Sequence, residues 1–209
     1  MTNNPTPRQS STIGLSPEAD VFLRPPDSPR LRNPLFHVVL HEPEIPNNTG
    51  NIGRTCVATG SRLHLIHPLG FTLSEKACRR AGLDYWPRLD WAEHASWQDY
   101  LRAPSSPELP HQQSSSAPRR WFLSTKTDRS IFDVTLQRGD HLVFGKESRG
   151  LPPDILASHP DQLVSLPMLV GERSLNLATA VCAVVYEGLR QLRARRLLHL
   201  TPQGRLVIE

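Results

Sequence analysis

The chain has 209 residues, of which 38% are hydrophobic and 20 are proline, with a formal net charge of +4. That length supports one folded domain with its own core, and the mild basicity is compatible with a polyanionic partner without singling one out. Three scattered cysteines, Cys56, Cys78 and Cys182, set aside a disulfide framework or a cysteine-based zinc site. With no bilayer-length apolar run and no signal-peptide core, a soluble cytoplasmic protein without a membrane partner is expected.

Residues 1–33 are rich in Pro, Ser, Thr, Asn and Arg and carry no hydrophobic period. Such a segment buries too little surface to offset its ordering entropy, so a disordered N-terminal extension is predicted. Leu35–Leu40 (LFHVVL) predicts the first core strand. In the HEPEIPNNTG stretch that follows, Pro43 and Pro46 argue against regular structure. Asn47, Asn48 and Thr49 offer capping oxygens for a helix that runs to about Thr59, with Gly60 as its left-handed stop. Arg62–His67 alternates as a second strand. Strand, helix and strand in so short a span imply a βαβ unit and a parallel sheet.

Further along, Ser74 caps a predicted short helix to Ala81, ended by Gly82. Trp86–Ala92 reads as a strand and Ser96–Leu101 as one or two helical turns. Residues 103–118 (APSSPELPHQQSSSAP) form a low-complexity surface loop between periodic segments. Trp121–Thr125, Leu142–Phe144 and Leu163–Leu166 read as strands. Pro152 and Pro153 open a short helix to about Ser158. The last helix spans Leu175 to about Leu198, followed by a tail at 199–209. About six strands interleaved with helices predict one α/β domain, residues 34–198, built on a mainly parallel sheet.

Several groups of residues suggest chemistry. Asn48, Asn51 and Arg54 recur at i, i+3 and i+6, roughly along one helix face near its N-terminus. That arrangement suits a phosphate or a developing oxyanion, or else a simple cap beside a solvated arginine. Phe144–Leu151 (FGKESRGL) lacks the glycine and Ser/Thr of a P-loop, and Gly50–Gly53 lacks the dinucleotide fingerprint. Both absences weigh against a kinase or dehydrogenase. Gly145 and Gly150 still allow backbone to approach a ligand, or make an ordinary strand-to-helix turn. Ser174 is positioned to cap the last helix, leaving Asn176 to clamp a neighbouring loop. Ala178, Ala180, Ala183 and Gly188 suit close helix packing, and mid-helix Tyr186 reads more readily as a core aromatic. His37, His41, His64 and His67 read as core or strand-end residues rather than metal ligands. Arg79, Arg80, Arg193, Arg195 and Arg196 are solvated faces or phosphate contacts.

Three motifs in order, NNTGNIGR, FGKESRGLP and RSLNLATAVCAVVYE, resemble those of the SPOUT class of RNA methyltransferases. The stretches HEPEIPNNTGN, RRAGLDY and LPM narrow the resemblance to the TrmH-like branch, and there to the small TrmL-type tRNA 2′-O-methyltransferases that act on the wobble nucleotide. The likeness covers about residues 35–192. It implies helices on both faces of the sheet, a C-terminal trefoil knot, S-adenosylmethionine as cofactor, tRNA as partner, a homodimer and no metal. Carried over residue by residue, Leu123, Gly145, Gly150, Leu166, Met168, Ser174 and Leu175 would line the cofactor pocket. Arg54 would act on the ribose hydroxyl, with Asn48, Glu147 and Asn176 holding it and the loops. Tyr186 would help hold RNA or the dimer partner, and Arg79 and Arg80 remain the basic pair available to RNA phosphates. Lys146 and Asn47 stand where proline is usual, which leaves the target nucleotide open. An enzyme for another tRNA or rRNA position would share all three motifs, while the intact Arg54, Glu147 and Asn176 argue against a non-catalytic RNA-binding member.

Overall fold

Leu35 and Phe36 are fully buried yet lie ahead of the first strand, β1 (His37–His41). The Leu35 N–H donates to the Gly60 carbonyl at 2.9 Å, and its own carbonyl accepts from Gly139, so the approach to the sheet is pinned from two sides. The computed structural model describes residues 31–72, 84–103 and 119–207. Most of the extension expected to be disordered, the short helix at Ser74–Ala81 and the loop at 104–118 lie outside them. At the near end of the extension, the Leu31 N–H donates to Asp90 Oδ2 at 2.9 Å.

Helix α1 (Pro46–Thr59) follows β1. Its cap is Ile45, with no side-chain cap, rather than any of Asn47, Asn48 or Thr49. Pro46 opens the helix instead of preventing it, because its fixed φ and missing N–H suit the first helical position. This spares the Asn48 amide for other partners. Gly60 ends α1 at φ 62°, as expected, where a side chain would be strained. Strand β2 (Arg62–Ile66) is followed by a 3-10 turn at Trp86–Arg88 and strand β3 (Trp91–His94). The single strand expected over Trp86–Ala92 is therefore split, with Pro87 inside the turn.

Ser96 caps α2 (Trp97–Arg102) by accepting from the Asp99 N–H. Strands β4 (Arg120–Leu123) and β5 (His141–Phe144), helix α3 (Pro153–Ala157) and the short strand β6 (Leu163–Val164) follow. The last helix, α4, spans Leu177–Ala194 and is shorter than expected at both ends. Within the region read as a tail, β7 (His199–Leu200) pairs antiparallel with β8 (Leu206–Val207).

The six main strands form one parallel sheet in the order β3-β2-β1-β5-β4-β6. Alternation sorts its two faces. Val38, Leu40, Leu63, Leu65, Leu142 and Phe144 pack with Ile52 and Cys56 of α1 and the apolar stripe of α4. Val39, Ile66, Phe122 and Val143 pack with Tyr100 of α2 and Ile155 and Leu156 of α3. Gly188 lets α4 lie close to the sheet, since a Cβ there would sit 2.4 Å from the Phe36 ring. No helix among the described residues is long and apolar enough to cross a membrane.

Candidate functional site

The chain runs β1-β2-β3 to one side of the sheet and returns with β5 beside β1. Loops leaving neighbouring strands at such a reversal diverge and open a crevice at the carboxyl ends. Here the loops after β1 and β5 are tied across that crevice. The Glu147 carboxylate accepts from the Glu44 N–H (2.8 Å), the Ile45 N–H (3.3 Å) and Asn48 Nδ2 (2.9 Å). In return, Glu44 accepts from the Ser148 N–H and Oγ at 2.9 and 2.8 Å, and these bonds hold its carboxyl below the usual range. Lys146 meets Glu42 at 2.8 Å.

Asn48 links this pair of loops to α4. Its Oδ1 accepts from Asn176 Nδ2 at 3.0 Å, while Asn176 Oδ1 accepts from the Ala178 and Thr179 N–H groups. Asn176 therefore both caps the helix and clamps a loop, and the cap expected at Ser174 falls to it instead. Only one orientation of each amide satisfies the whole chain of bonds, from helix N–H groups to carboxylate.

Beneath this network lies a cavity of about 580 Å³. All seven residues expected to line a cofactor pocket do line it: Leu123, Gly145, Gly150, Leu166, Met168, Ser174 and Leu175. Asn48, Glu147 and Asn176 border the same space. Gly145 has no room for a side chain, because a Cβ would stand 2.0 Å from the Gly150 carbonyl carbon. The loop closes on itself there, with the Gly150 N–H donating to the Lys146 carbonyl at 2.9 Å.

Lys126, Arg149 and Arg173 add cations to the lining. Sequence reasoning singled out none of them as site residues, and it overlooked Glu42 and Glu44. The signal available for the two glutamates was their place in the HEPE segment beside the capping region. A partner a hundred positions away is not visible in a linear pattern.

Arg54 is not in the cavity lining. Six residues beyond Asn48 is a rotation of about 600°, which leaves Arg54 about 120° around the helix and about 9 Å along it. The slow drift expected along one face is thus enough to carry it off. Its guanidinium stands 4.7 Å from the Tyr85 ring centroid and 3.6 Å from Asp84, with the side chain 63% exposed. The Tyr85 hydroxyl donates to the Gly50 carbonyl, fixing that ring against α1.

Tyr186 is exposed (53%) rather than in the core, because Val181, Val184, Val185, Gly188, Leu189 and Leu192 form the buried stripe of α4 and Tyr186 lies beside it. Arg79 and Arg80 lie outside the described residues.

Four histidines from four strands meet on the sheet face that carries Val39, Ile66 and Val143. His37 Nδ1 meets His64 Nε2 at 2.9 Å, and His64 Nδ1 meets His94 Nε2 at 3.0 Å. His141 stacks on His37 at 4.1 Å and meets the Tyr100 hydroxyl at 2.5 Å. Burial, with Arg62 nearby, pushes His37 down to about 3, and burial beside His37 pushes His141 down to about 2. His64 is held well below its ordinary value by burial and the surrounding histidines. His41 is buried at the end of β1, and His67 pairs with Glu93 at 2.6 Å.

Residues 35–186 match the SpoU rRNA Methylase family. A tRNA (cytidine(34)-2′-O)-methyltransferase of Saccharophagus degradans is 47% identical over 159 residues, covering 76% of this chain and 96% of that protein. The protein of the same name from Escherichia coli strain K12 is 44% identical, covering 76% and 94%. A solved structure described as giving structural insights into the 2-OH methylation of C/U34 on tRNA shares 44% identity at a TM-score of 0.66, covering 77% and 97%.

Proposed function

This chain belongs to the SpoU rRNA methylase family, and on that footing we propose that it transfers a methyl group from S-adenosylmethionine to the 2′-hydroxyl of the wobble ribose of a tRNA. The observation that carries the proposal is the cavity at the carboxyl ends of β4 and β5, roofed by the Asn48–Glu147–Asn176 network. Its volume of about 580 Å³ suits a nucleoside-sized ligand. The lining fits the cofactor in kind as well: aliphatic walls for an adenine, glycine backbone for close approach, and the cations of Arg149 and Arg173 for a carboxylate.

When bound, S-adenosylmethionine supplies an electrophilic methyl on a sulfonium centre that leaves as a neutral thioether. The chain supplies position. Leu123, Leu166, Met168 and Leu175 give the apolar walls, while Gly145, Gly150 and Ser174 present backbone and hydroxyl partners. Asn48, Glu147 and Asn176 hold three loops in one arrangement, so that little ordering remains when the ligand arrives. Arg54 orients the attacking hydroxyl and stabilises the developing alkoxide. A guanidinium stays protonated at neutral pH and is a poor proton acceptor, so general-base chemistry is not assigned to it.

Since Arg54 turns away from the cavity of its own chain, the reading includes a homodimer in which Arg54 of one protomer reaches the cavity of its partner. Tyr186, exposed on α4, and Arg79 and Arg80 are assigned to the RNA. The knot is part of the same reading, with α4 passing through the loops it closes, and the working compartment is the cytoplasm with its tRNA.

The test is methyl transfer from labelled S-adenosylmethionine to tRNA that lacks wobble methylation, followed by nucleoside mapping. Label on the wobble ribose is expected. Label at another nucleotide would keep the chemistry and move the substrate. Tight tRNA binding without label would overturn the enzymatic assignment.

A further inference from the structure

Beyond residue 186, where the family match ends, the chain becomes strongly basic. Between Glu187 and Val207 it carries Arg190, Arg193, Arg195, Arg196 and Arg205 against Glu187 alone. Arg190 takes that glutamate at 2.7 Å. Arg195 is occupied internally, donating to the Leu136 carbonyl and to the Gln191 carbonyl. Arg193, Arg196 and Arg205 are exposed and enter no ion pair among the described residues.

A solvated helix end accounts for part of this. Cations in the last turn of a helix meet its negative dipole end, and Arg193 is placed for that. The other two are not. Arg196 lies past the cap in left-handed backbone, φ 59°, where glycine or asparagine would sit with less strain. Arg205 is on the β7–β8 hairpin, its N–H donating to Thr201 Oγ1 at 3.2 Å.

Nor is the hairpin a loose tail. Leu198 is 4% exposed within the main core, Leu206 packs against that core, and the Leu197 N–H closes on the Leu192 carbonyl at 2.9 Å. The three guanidinium groups are thus mounted on anchored backbone. Arg196 and Thr201 are five residues apart, at most about 17 Å, so the helix end and the hairpin lie within the span of a few phosphates of one RNA backbone. All three are arginines, whose planar forks match phosphate oxygens.

Resting on the tRNA reading above, we propose that the end of α4 and the β7–β8 hairpin form a second RNA-binding surface that grips the phosphate backbone through Arg193, Arg196 and Arg205. The 18 residues of α4 separate this surface from Asn176 by about 27 Å. It is too far away to touch the nucleotide in the cavity of its own chain. It contacts backbone remote from it, adding affinity and orientation without reading sequence.

The experiment uses the full chain with a triple variant, Arg193→Gln, Arg196→Gln and Arg205→Gln, alongside the matching triple lysine variant. Transfer RNA binding is followed across a salt series, with steady-state methyl transfer and S-adenosylmethionine affinity measured in parallel. Loss of three phosphate contacts lowers the slope of log affinity against log salt by about 2 to 3. KM for tRNA then rises roughly tenfold or more in the glutamine variant, with kcat, cofactor affinity and melting temperature unchanged, while the lysine variant stays near wild type. Should the triple change destabilise the fold, Arg205→Gln alone must still lower the slope by about 1. Wild-type salt dependence and KM in a folded glutamine variant would overturn the surface while leaving the activity in place. A wild-type chain that methylates no tRNA would instead bring down the reading on which the surface rests.

Discussion

Two clusters, one on a face of the sheet and one at its carboxyl ends, bury polar groups on opposite terms. On the sheet face under α2, His37, His64 and His94 are chained by ring-nitrogen hydrogen bonds and His141 stacks on His37 and meets Tyr100, in a buried layer beside Arg62 and Asp90. At the carboxyl end Asn48, Glu147 and Asn176 are similarly hydrogen-bonded, yet they border a cavity rather than a packed interior. Buried hydrogen bonding therefore serves stability in the histidine cluster and positioning at the cavity. Where the network is sealed, a proton is an intruder; where it faces a cavity, a ligand is expected.

Acid should separate the two clusters most sharply. His37, His64 and His141 have folded-state values far below the unfolded value of about 6.5. The unfolded chain binds protons below about pH 6.5 that the folded chain refuses, so stability is complete above that pH and falls as pH drops toward about 3. Three such groups correspond to about 4 kcal/mol per pH unit well below pH 6. Asp140, raised by burial, opposes this as a single group. Denaturant melts from pH 8 to 5 check the slope. A flat profile would mean that the histidine layer opens to water and that the contrast with the cavity end is lost.

The next effect belongs to the cavity. Arg54→Ala should lower methyl transfer by about 10²- to 10³-fold, the usual cost of removing a donor to a developing oxyanion. Cofactor affinity and melting temperature should stay near wild type, because Arg54 is exposed and absent from the lining of its own cavity. Retained activity would remove Arg54 from the reaction. A mixed dimer of Arg54→Ala chains with chains impaired in the cavity, assayed for recovered activity, would show whether the two lie in different protomers.

A smaller loss is expected for Asn48→Ala, which leaves Asn176 Nδ2 without its acceptor and removes one donor from Glu147. An orphaned polar group costs about 1–3 kcal/mol. The loss should surface as weaker cofactor binding in calorimetry, more than as a lower melting temperature. Should stability fall and binding hold, the carboxyl-end network would be structural like its counterpart.

Smallest is Ser96→Ala. It removes the cap of α2, the helix that carries Tyr100 to His141, at a cost of about 1 kcal/mol in a denaturant melt with methyl transfer unchanged.

Much of this architecture was legible in the chain. Strand β2, the stop of α1 at Gly60 and the course of α4 followed from local periodicity and turn chemistry. The cap of α1 was misplaced because three polar residues follow Pro46, while the proline alone suffices to start the helix. Ser174 and Asn176 each carry a capping oxygen two positions apart, and only the packing of α4 beside α1 selects the asparagine, which has an amide left for Asn48. Arg54 was grouped with Asn48 on helical spacing, and two steps of drift were enough to turn it toward Tyr85. The histidine layer gave no linear sign, since its members lie on four strands and meet only through the strand order.

By itself, then, the amino-acid order determined what depends on neighbours along the chain: which stretches extend, which coil, where glycine is required, and the three motifs that mark the family. The tertiary structure alone decided which of those motifs touch. Asn48 and Glu147 are 99 positions apart, and Asn48 and Asn176 are 128 apart. They meet because parallel crossovers return β5 to the side of β1 and lay α4 against α1. Hydrophobic burial drives that assembly without specifying partners, and the order of strands in the sheet, a property of no local segment, brings the three polar side chains to one cavity.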